Sequence, residues 1–374
     1  MRAYGSNSLA FFGQAPENSH FLVTCPPDRV PDGAGLVHYR LVNKVAIVLG
    51  DPVCAPEPGE QVTQSFLDVC ARHHWRVAFY QASPAYLATY HALRLRAWKM
   101  GEEAILSPQT FTLQGSAMAN VRTSARRAER DAVRISWYEG VPPAEVMQQL
   151  EQVSSAWLEH KAGSHAAETG FSTGRLDEVI ESAERADAIA HLSVPFHNSP
   201  RAVPRLVTGV ATTSAGTACA FVTFTPIYGG VTPETTTPGN QSRGQGWGWS
   251  LDLMRRVPDA PPGVMELLLV RALERFRSCG AHVVSLGLVA LADTSQEMTP
   301  VERKLVSLAT DGLHLMENRD TLFNFKQKFQ PCWQSRYLVT NTRLSLPKIA
   351  LAVLRLRNYS GDGVARLLRG SDKP

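Results

Sequence analysis

Along the first part of the chain, the hydrophobic positions switch between the spacing of strands and the spacing of helices. Alternating or short continuous apolar runs predict strands, and apolar positions three or four residues apart predict helices. The predicted strands are two within 36–49, joined near Asn43–Lys44, and then 76–83, 98–107 and 134–139. The predicted helices are 62–74, 84–96, 116–132 and 143–162. This succession predicts a mixed α/β unit.

The same succession of elements starts again in the second part of the chain. The predicted strands are 207–213, 218–228, 247–255, 282–289 and 335–341, and the predicted helices are 262–280 and 301–310. Residues 229–246 are rich in Gly, Thr and Pro, which predicts a surface loop or insertion. Two related α/β domains in tandem explain this order, which also fits the fold of the GCN5-related N-acetyltransferases.

The repeated order predicts where the domains begin and end. The first domain is predicted at 1–142, a linking helical segment at 143–200, a second domain with the active site at 201–342, and a basic amphipathic tail at 343–374. In the tail, Leu346, Ile349 and Val353 share one helical face, while Lys348 and Arg355 lie on another. Such a helix fits an anionic membrane surface, and it fits packing on its own domain equally well.

Composition narrows the class of protein only slightly. The 374 residues are 44% hydrophobic and 19% charged, with a net charge of +4, which is ordinary globular composition. The six cysteines form no CxxC pair, and no histidines have zinc-ligand spacing, so reduced thiols and no metal are expected. No run approaches the roughly 18 apolar residues of a membrane span, which predicts a soluble protein able to lie on a membrane surface.

An acid and two arginines stand where strand 247–255 leads into helix 262–280. Asp252 lies between apolar strand residues, where an unpaired carboxylate is costly, and Arg255 and Arg256 follow it. The set is either a structural ion pair or an anion site beside a helix N-terminus. Strict alternation predicts that Trp249, Leu251 and Leu253 share one face and that Ser250, Asp252 and Met254 share the other.

Two more basic patterns have both a functional and a structural interpretation. Four arginines near one helix face form a phosphate-binding ridge for RNA or lipid, or simply a solvated face: Arg122, Arg126, Arg127 and Arg130. In "FKQKFQPCWQSRYLV", extended backbone would point Lys326 and Lys328 the same way. They would hold a phosphate or a terminal adenosine, or they extend from the edge of an aromatic core.

Several of these segments together resemble one family. They are "YGSNSLAFF" (4–12), "VLGDPV" (48–53), "VAFYQASPAYLATYHALRLRAWKMGEEA" (77–104), "ARRAER" (125–130), "AWLEHKAGSHAAETGFSTGRLDE" (156–178), "SLDLMRRVPDAPPGVMELLLVRAL" (250–273) and "FKQKFQPCWQSRYLV" (325–339). The chain resembles the catalytic domain of the aminoacyl-phosphatidylglycerol synthases, also called multiple peptide resistance factors. The resemblance implies two tandem acetyltransferase-like (GNAT-type) domains with mixed sheets flanked by helices.

The resemblance also implies a reaction, the direct transfer of an amino acid from aminoacyl-tRNA to the hydroxyl of phosphatidylglycerol. Aminoacyl-tRNA is then the co-substrate, and no cofactor is expected. The loop "RRVPDAPPGV" has one glycine and three prolines, unlike the Gly-rich loop of acetyl-CoA-binding members of the fold. The full-length family members carry membrane spans ahead of this domain. A chain without them is expected to be cytoplasmic and peripheral to the inner face of the cell membrane, reached by its basic tail.

The family's motifs assign roles to residues of this chain. The catalytic candidates are Asp252, Arg255 and Lys328. The substrate-binding candidates are Lys326, Arg336, Arg256, Glu103 and Lys161, and the tRNA or phosphate candidates are the four arginines named above. Asp252 would orient the α-amino group or the attacking hydroxyl, and the cations would hold phosphate or the oxyanion. A lysyl substrate would need a carboxylate such as Glu102, Glu103 or Asp293.

Two alternatives stay open at this point. The same fold transfers amino acids or other acyl groups to different acceptors, such as an amine of a peptidoglycan precursor or another lipid. A non-catalytic module that binds anionic lipid or RNA also fits the basic segments. The sequence does not identify the amino acid that is transferred.

Overall fold

The computed structural model describes residues 1, 4–23, 35–55, 58–162, 174–191, 203–229, 246–290 and 319–358. Its strands are Ser19–Val23 (β1), Gly35–Val42 (β2), Val45–Leu49 (β3), Val53–Cys54 (β4), Arg76–Ala82 (β5), Arg96–Leu106 (β6), Arg134–Glu139 (β7), Val207–Thr212 (β8), Ala218–Ile227 (β9), Gly248–Arg256 (β10), Val283–Ala290 (β11) and Cys332–Thr340 (β12). Its α-helices are Gly59–Arg72 (α1), Leu87–Ala92 (α2), Ala119–Arg130 (α3), Ala144–Ala162 (α4), Val179–Ala190 (α5), Val264–Ser278 (α6), Arg319–Gln327 (α7) and Leu346–Asn358 (α8).

The strands form one continuous mixed sheet in the order β1-β2-β3-β5-β12-β6-β11-β10-β9-β8-β7, with β4 paired to β2. Each half of the sheet contains one parallel pair whose strands are joined through a helix. In the first half β3 pairs with β5 around α1, and in the second half β10 pairs with β11 around α6. The predicted α/β class with two acetyltransferase-like units is confirmed.

Two strands cross from one half to the other. β7 belongs to the first half by chain order, yet it pairs with β8 at the far edge of the second half. β12 comes late in the chain, yet it lies between β5 and β6. Since β6 also pairs with β11, the sheet runs unbroken through the predicted domain boundary. The boundaries themselves stay a prediction, but the two halves do not each consist of one continuous stretch of chain.

Helices cover both faces of the sheet, and alternate strand residues face the two layers. Along β3, Val45 and Ile47 pack with α8, whereas Ala46 and Val48 pack with α1. In the second half, α3 and α6 share one core, and α4 and α5 share the other with Phe221 of β9. Burial on both faces explains why strands such as β3 and β9 are buried along their whole length instead of alternating between buried and exposed residues.

The predicted elements are largely confirmed, with differences at their ends. The strand β1 is an addition to the predicted elements, and its sequence pattern is weak because three of its five residues are exposed and the other two are half-buried. The helix predicted at 84–96 ends at Ala92 because Arg94 takes a positive φ of 57° and Arg96 already begins β6. The helix predicted at 301–310 and most of the 229–246 insertion lie outside the described residues. None of the described helices is both long and apolar enough to cross a bilayer.

Candidate functional site

The candidate site lies where β10 and β11 separate. The two strands are paired in parallel only from Gly248↔Val283 to Ser250↔Ser285. Directly beyond these pairs, each strand also loses regular register with its other neighbour, β10 between Leu251 and Met254, and β11 between Ser285 and Leu288. Two irregularities at the same level open the middle of the sheet, and bulges of this kind redirect side chains next to active sites.

Asp252 stands in the β10 irregularity. Its carboxylate accepts hydrogen bonds from the Gly174 amide at 2.6 Å and from the Thr223 hydroxyl at 3.4 Å. Burial raises the pKa of Asp252 to about 6, although these hydrogen bonds and the charge of Arg255 act in the opposite direction. A carboxyl group in this state is ionised for most molecules at neutral pH and is protonated slightly below it.

The irregularity also overturns the predicted alternation of β10. Trp249 and Leu251 pack in the core that contains α6, as predicted, but Leu253 packs in the opposite core with α4 and α5. Met254 then returns to the α6 core. The prediction that Leu253 shares the face of Trp249 is wrong because an extra residue in the strand shifts the period of two.

The two arginines after Asp252 have different environments. Arg255 is buried, donates a short hydrogen bond to Ser154, and lies 5.2 Å from the ring centre of Trp157 on α4. Its charge lowers the pKa of Asp252, which places it beside the site. Arg256 is exposed at the end of the strand. Of the two, Arg255 is therefore the one that the structure brings to Asp252.

Lys326 reaches the same opening from α7. Its amine donates to the carbonyls of Gly287 at 3.1 Å and Leu288 at 3.3 Å, in the β11 irregularity. Gly287 has a φ of +83°, and a methyl group added to it would lie 3.6 Å from the Lys326 amine and 3.9 Å from the Leu251 carbonyl. The Lys326 amine and the carbonyl of Leu251, the residue before Asp252, therefore both border Gly287.

Burial determines the charge of this amine. Lys326 is 4% exposed, and burial lowers its pKa to about 7, although the nearby Glu103 carboxylate acts in the opposite direction. A neutral amine keeps two N–H donors and one lone pair. Lys326 is therefore able to hold both carbonyls of β11 and still accept a proton.

Glu103 and Arg336 form a buried ion pair beside Lys326. The Arg336 Nε donates to Glu103 at 2.6 Å, and Ser285 and Ser8 bond to the same carboxylate. Burial alone would raise the pKa of Glu103, but the charge of Arg336 and these hydrogen bonds outweigh it and lower the pKa. The expectation that Glu103 receives a substrate ammonium finds no support here, because its oxygens are already bonded. Glu102 is likewise paired with Lys99, and Asp293 lies outside the described residues.

The prediction that Lys326 and Lys328 point the same way is wrong. Lys326 belongs to the last turn of α7 and Lys328 follows that helix, so the backbone is not extended there. Lys328 forms an ion pair with Glu266 on α6 at 3.0 Å and lies 5.5 Å from the Phe325 ring centre. Its catalytic role stays a prediction. Lys161 belongs to α4, and its side chain lies outside what the structure describes.

The arginines of α3 lie apart from this site. Arg122 and Arg126 line a surface cavity of about 660 Å³ between α3 and α6, together with Arg271. Arg122 donates to the carbonyls of Leu113 and Gly115, and Arg126 is exposed. Arg127 and Arg130 are exposed as well. The phosphate-binding role of this helix stays a prediction, and the structure gives three of its arginines access to solvent.

The N-terminus of α6, where an anion could bind, packs against α3. Gly263 precedes the helix with a φ of +87°, and a Cβ there would come within 2.0 Å of the Ser124 carbonyl of α3. The start of α6 is therefore packed against α3 at Gly263, and the expectation that no cofactor is needed stays a prediction.

The chain matches one family model over most of its length. The model describes the C-terminal domain of phosphatidylglycerol lysyltransferase and matches residues 1–190 and 199–340. The chain belongs to this family. It is 25% identical over 355 residues to a phosphatidylglycerol lysyltransferase of Bacillus subtilis, an alignment that covers 94% of this chain and 35% of the relative.

Other relatives agree with this assignment. A lysylphosphatidylglycerol biosynthesis bifunctional protein of Mycobacterium ulcerans is 26% identical, over 94% of this chain and 28% of its own length. The chain thus spans about a third of the length of these curated relatives. The solved structure of L-PGS from Bacillus licheniformis superimposes with a TM-score of 0.71 at 24% identity, covering 95% of this chain and 93% of that one. At this identity, the structural similarity shows the fold alone.

Several residues of this family member's site were not singled out from sequence. Thr223 and Ser285 come from strands and bond the two carboxylates, and Ser8 of the N-terminal segment bonds Glu103. Gly287 could have been identified from the sequence, since a glycine inside an apolar strand indicates a bulge or a close approach of another group to the backbone. In the described ranges, no three His, Cys, Asp or Glu side chains are placed to hold a metal ion.

Proposed function

We propose that the chain transfers an amino acid from aminoacyl-tRNA to the hydroxyl of phosphatidylglycerol. The observation that carries the proposal is that a buried amine, Lys326, and a half-buried carboxyl group, Asp252, both lie where β10 and β11 separate. The family's relatives are named for making lysylphosphatidylglycerol, which supports the acceptor. The tRNA donor rests on the resemblance in sequence and on the exposed arginines of α3.

The chemistry needs a base but no covalent intermediate. An aminoacyl ester is already activated, so the lipid hydroxyl oxygen attacks the ester carbonyl carbon directly. Neutral Lys326 takes the hydroxyl proton and returns it to the ribose oxygen as the ester bond to tRNA breaks. One ester forms and one is lost, with no oxidant or reductant. The lowered pKa of Lys326 suits this role, because a base is most effective near the working pH.

Asp252, Arg336 and Arg255 would supply the charged groups that bind the substrates and stabilise the developing oxyanion. The Asp252 carboxylate would orient the α-ammonium of the aminoacyl group. Arg336 Nη1 is buried without a partner among the described residues, so it has a free N–H for a phosphate or an oxyanion. Arg255 contributes positive charge on the Asp252 side. We further propose that the protein works as a peripheral protein at the inner face of the cell membrane.

The test is a reconstituted transfer with purified components. The chain is mixed with radiolabelled lysyl-tRNA or alanyl-tRNA and with phosphatidylglycerol in detergent micelles, and the extracted lipid is analysed by mass spectrometry. We expect a labelled aminoacyl lipid that disappears when the tRNA is digested with RNase first. The mass identifies the amino acid.

Matched variants test the assignment of the residues. Lys326→Gln and Asp252→Asn should each lower kcat at least 100-fold, the scale of a lost general base or positioning group. Lys44→Gln, at an exposed turn, is the control and should transfer at the wild-type rate. Normal turnover by Lys326→Gln, with loss in Lys328→Gln, would assign the base to Lys328 instead. Transfer only to a precursor amine would refute the lipid acceptor, and binding without any turnover would refute the enzyme.

A further inference from the structure

The C-terminal helix α8 uses its main apolar face inside the molecule. Leu346, Ile349, Val353 and Leu356 are buried in the core that also contains residues of β3 and β5. The predicted amphipathic helix therefore packs on its own fold, and this face is not available to a membrane. Leu354, which follows Val353, is only partly buried.

The opposite side of the same segment carries a second, smaller apolar surface. Leu344, in the turn that precedes α8, is 86% exposed, and Leu351 is 48% exposed. Pro347 is exposed between them. These positions are spaced by three and four residues, so they form one outward stripe. Exposed large apolar side chains grouped on one stripe mark an interaction surface more often than scattered ones do.

Cations flank this stripe, and the segment that carries it contains no acidic residue. Arg343, Lys348 and Arg355 are all exposed, and residues 343–358 contain no Asp or Glu. Lys348 and Arg355 form no ion pair with any described residue. Long basic side chains beside exposed leucines match a surface that is apolar inside and anionic at its boundary. A protein partner would need an acidic side chain at a fixed place for each cation, whereas the phosphates of an anionic bilayer offer negative charge all along the stripe.

We propose that the outward stripe Arg343–Leu344–Pro347–Lys348–Leu351–Arg355 docks on an anionic phospholipid bilayer. This inference rests on the proposed function, since it names the surface by which the enzyme reaches its lipid. The leucines enter the boundary between headgroups and acyl chains, and the cations lie against the phosphates. The site and this stripe are connected through one core, because Leu288, whose carbonyl accepts from Lys326, packs against the cluster that α8 completes.

Vesicle flotation tests the surface directly. The full chain is mixed with vesicles of phosphatidylcholine containing phosphatidylglycerol, or of phosphatidylcholine alone, and the bound fraction is measured. The wild type should bind the anionic vesicles and not the neutral ones. Lys348→Gln with Arg355→Gln should weaken binding about 30-fold, from roughly fivefold for each cation lost at an anionic surface. Leu344→Ser with Leu351→Ser should weaken it at least about tenfold.

Two control variants make the result specific to this stripe. Leu22→Ser removes a leucine that is 67% exposed on β1, and Arg127→Gln with Arg130→Gln removes two exposed cations from α3. Both should bind the anionic vesicles within twofold of the wild type. The proposal is overturned if the α8 variants float like the wild type, if the α3 variant loses binding in their place, or if the wild type does not bind anionic vesicles.

Failure of docking and failure of the proposed reaction give different results. Transfer to short-chain phosphatidylglycerol dissolved in water needs no bilayer, so it reports on the reaction alone. Vesicle binding without any transfer to the dissolved lipid would refute the proposed function and leave the docking surface standing. Transfer to the dissolved lipid by a wild-type chain that ignores vesicles would refute the docking surface only.

Discussion

Replacing Lys326 by methionine should change how the stability of the protein depends on pH. Lys326 is buried, and its pKa falls from an ordinary value of 10.5 to about 7. This difference corresponds to roughly 5 kcal/mol in favour of the neutral amine in the folded state. Between pH 7 and 10.5 the unfolded chain binds more protons at this position than the folded chain does. The wild type therefore gains stability as the pH rises through this window.

The gain attributable to Lys326 is about 2 kcal/mol between pH 7 and pH 9. Methionine has a similar length and no charge, so the Lys326→Met variant lacks this term. The free energy of unfolding is measured in urea by tryptophan fluorescence at both pH values. The free energy of unfolding of the wild type minus that of the variant should rise by that amount from pH 7 to pH 9. Lys328→Met controls for loss of a neighbouring lysine, and its difference from the wild type should not grow in this way.

The outcome that would refute this reasoning is a difference between wild type and Lys326→Met that stays constant within about 0.5 kcal/mol from pH 7 to pH 9. In that case the amine would be charged in the folded state at neutral pH. It would then be unable to accept the proton of the lipid hydroxyl, and the proposed mechanism would need another base. The experiment requires no substrate, so it tests the base independently of the transfer assay.

Three further predictions concern the packing and the chemistry around the opening. Glu103→Gln should destabilise the protein by about 3–5 kcal/mol because it leaves the charge of Arg336 buried and uncompensated. The control Glu102→Gln, in a partly exposed ion pair, should cost less than about 1 kcal/mol. Equal losses of unfolding free energy in urea would contradict the role of burial. Gly263→Ala should lower the free energy of unfolding by more than about 2 kcal/mol, since the added Cβ meets the α3 backbone. The control Gly216→Ala, also at positive φ but in open space, should lower it by only about 1 kcal/mol. Thermal melting of both variants measures the two losses. Transfer by the wild type should fall as the pH drops below about 7, where the base Lys326 becomes protonated, and fall further through about 6, where Asp252 becomes protonated. An activity that is unchanged from pH 7 to pH 5 would remove both groups from the mechanism.

The local order of elements was readable from hydrophobic spacing because strands and helices bury their faces with different periods. The helix over α3 and the strand β7 were both predicted within a few residues, and so was the position of Asp252 near the end of a strand. Resemblance in the motifs identified the family. None of these inferences required knowledge of which elements are neighbours.

The strand exchange was not readable from the sequence. β12 has the same kind of apolar pattern wherever it is inserted, and only pairing with β5 and β6 places it between them. Its position brings Arg336 to Glu103, two residues separated by more than half of the chain. Chain order alone assigned them to different domains. The ion pair therefore depends on a contact between distant segments that no local spacing contains.

What the sequence determined by itself was the fold class, the family and the types of side chain available for chemistry. The tertiary structure decided which of these side chains are buried, paired or exposed. The extra residue in β10 sends Leu253 to the opposite core, and α7 turns Lys326 inward while Lys328 reaches Glu266. The main apolar face of α8 is packed inside, while Leu344 and Leu351 stay exposed to an outside partner. The physical reason is that burial and pairing are properties of neighbours in space. They shift the pKa of Lys326 and of Asp252, and the residue type alone does not.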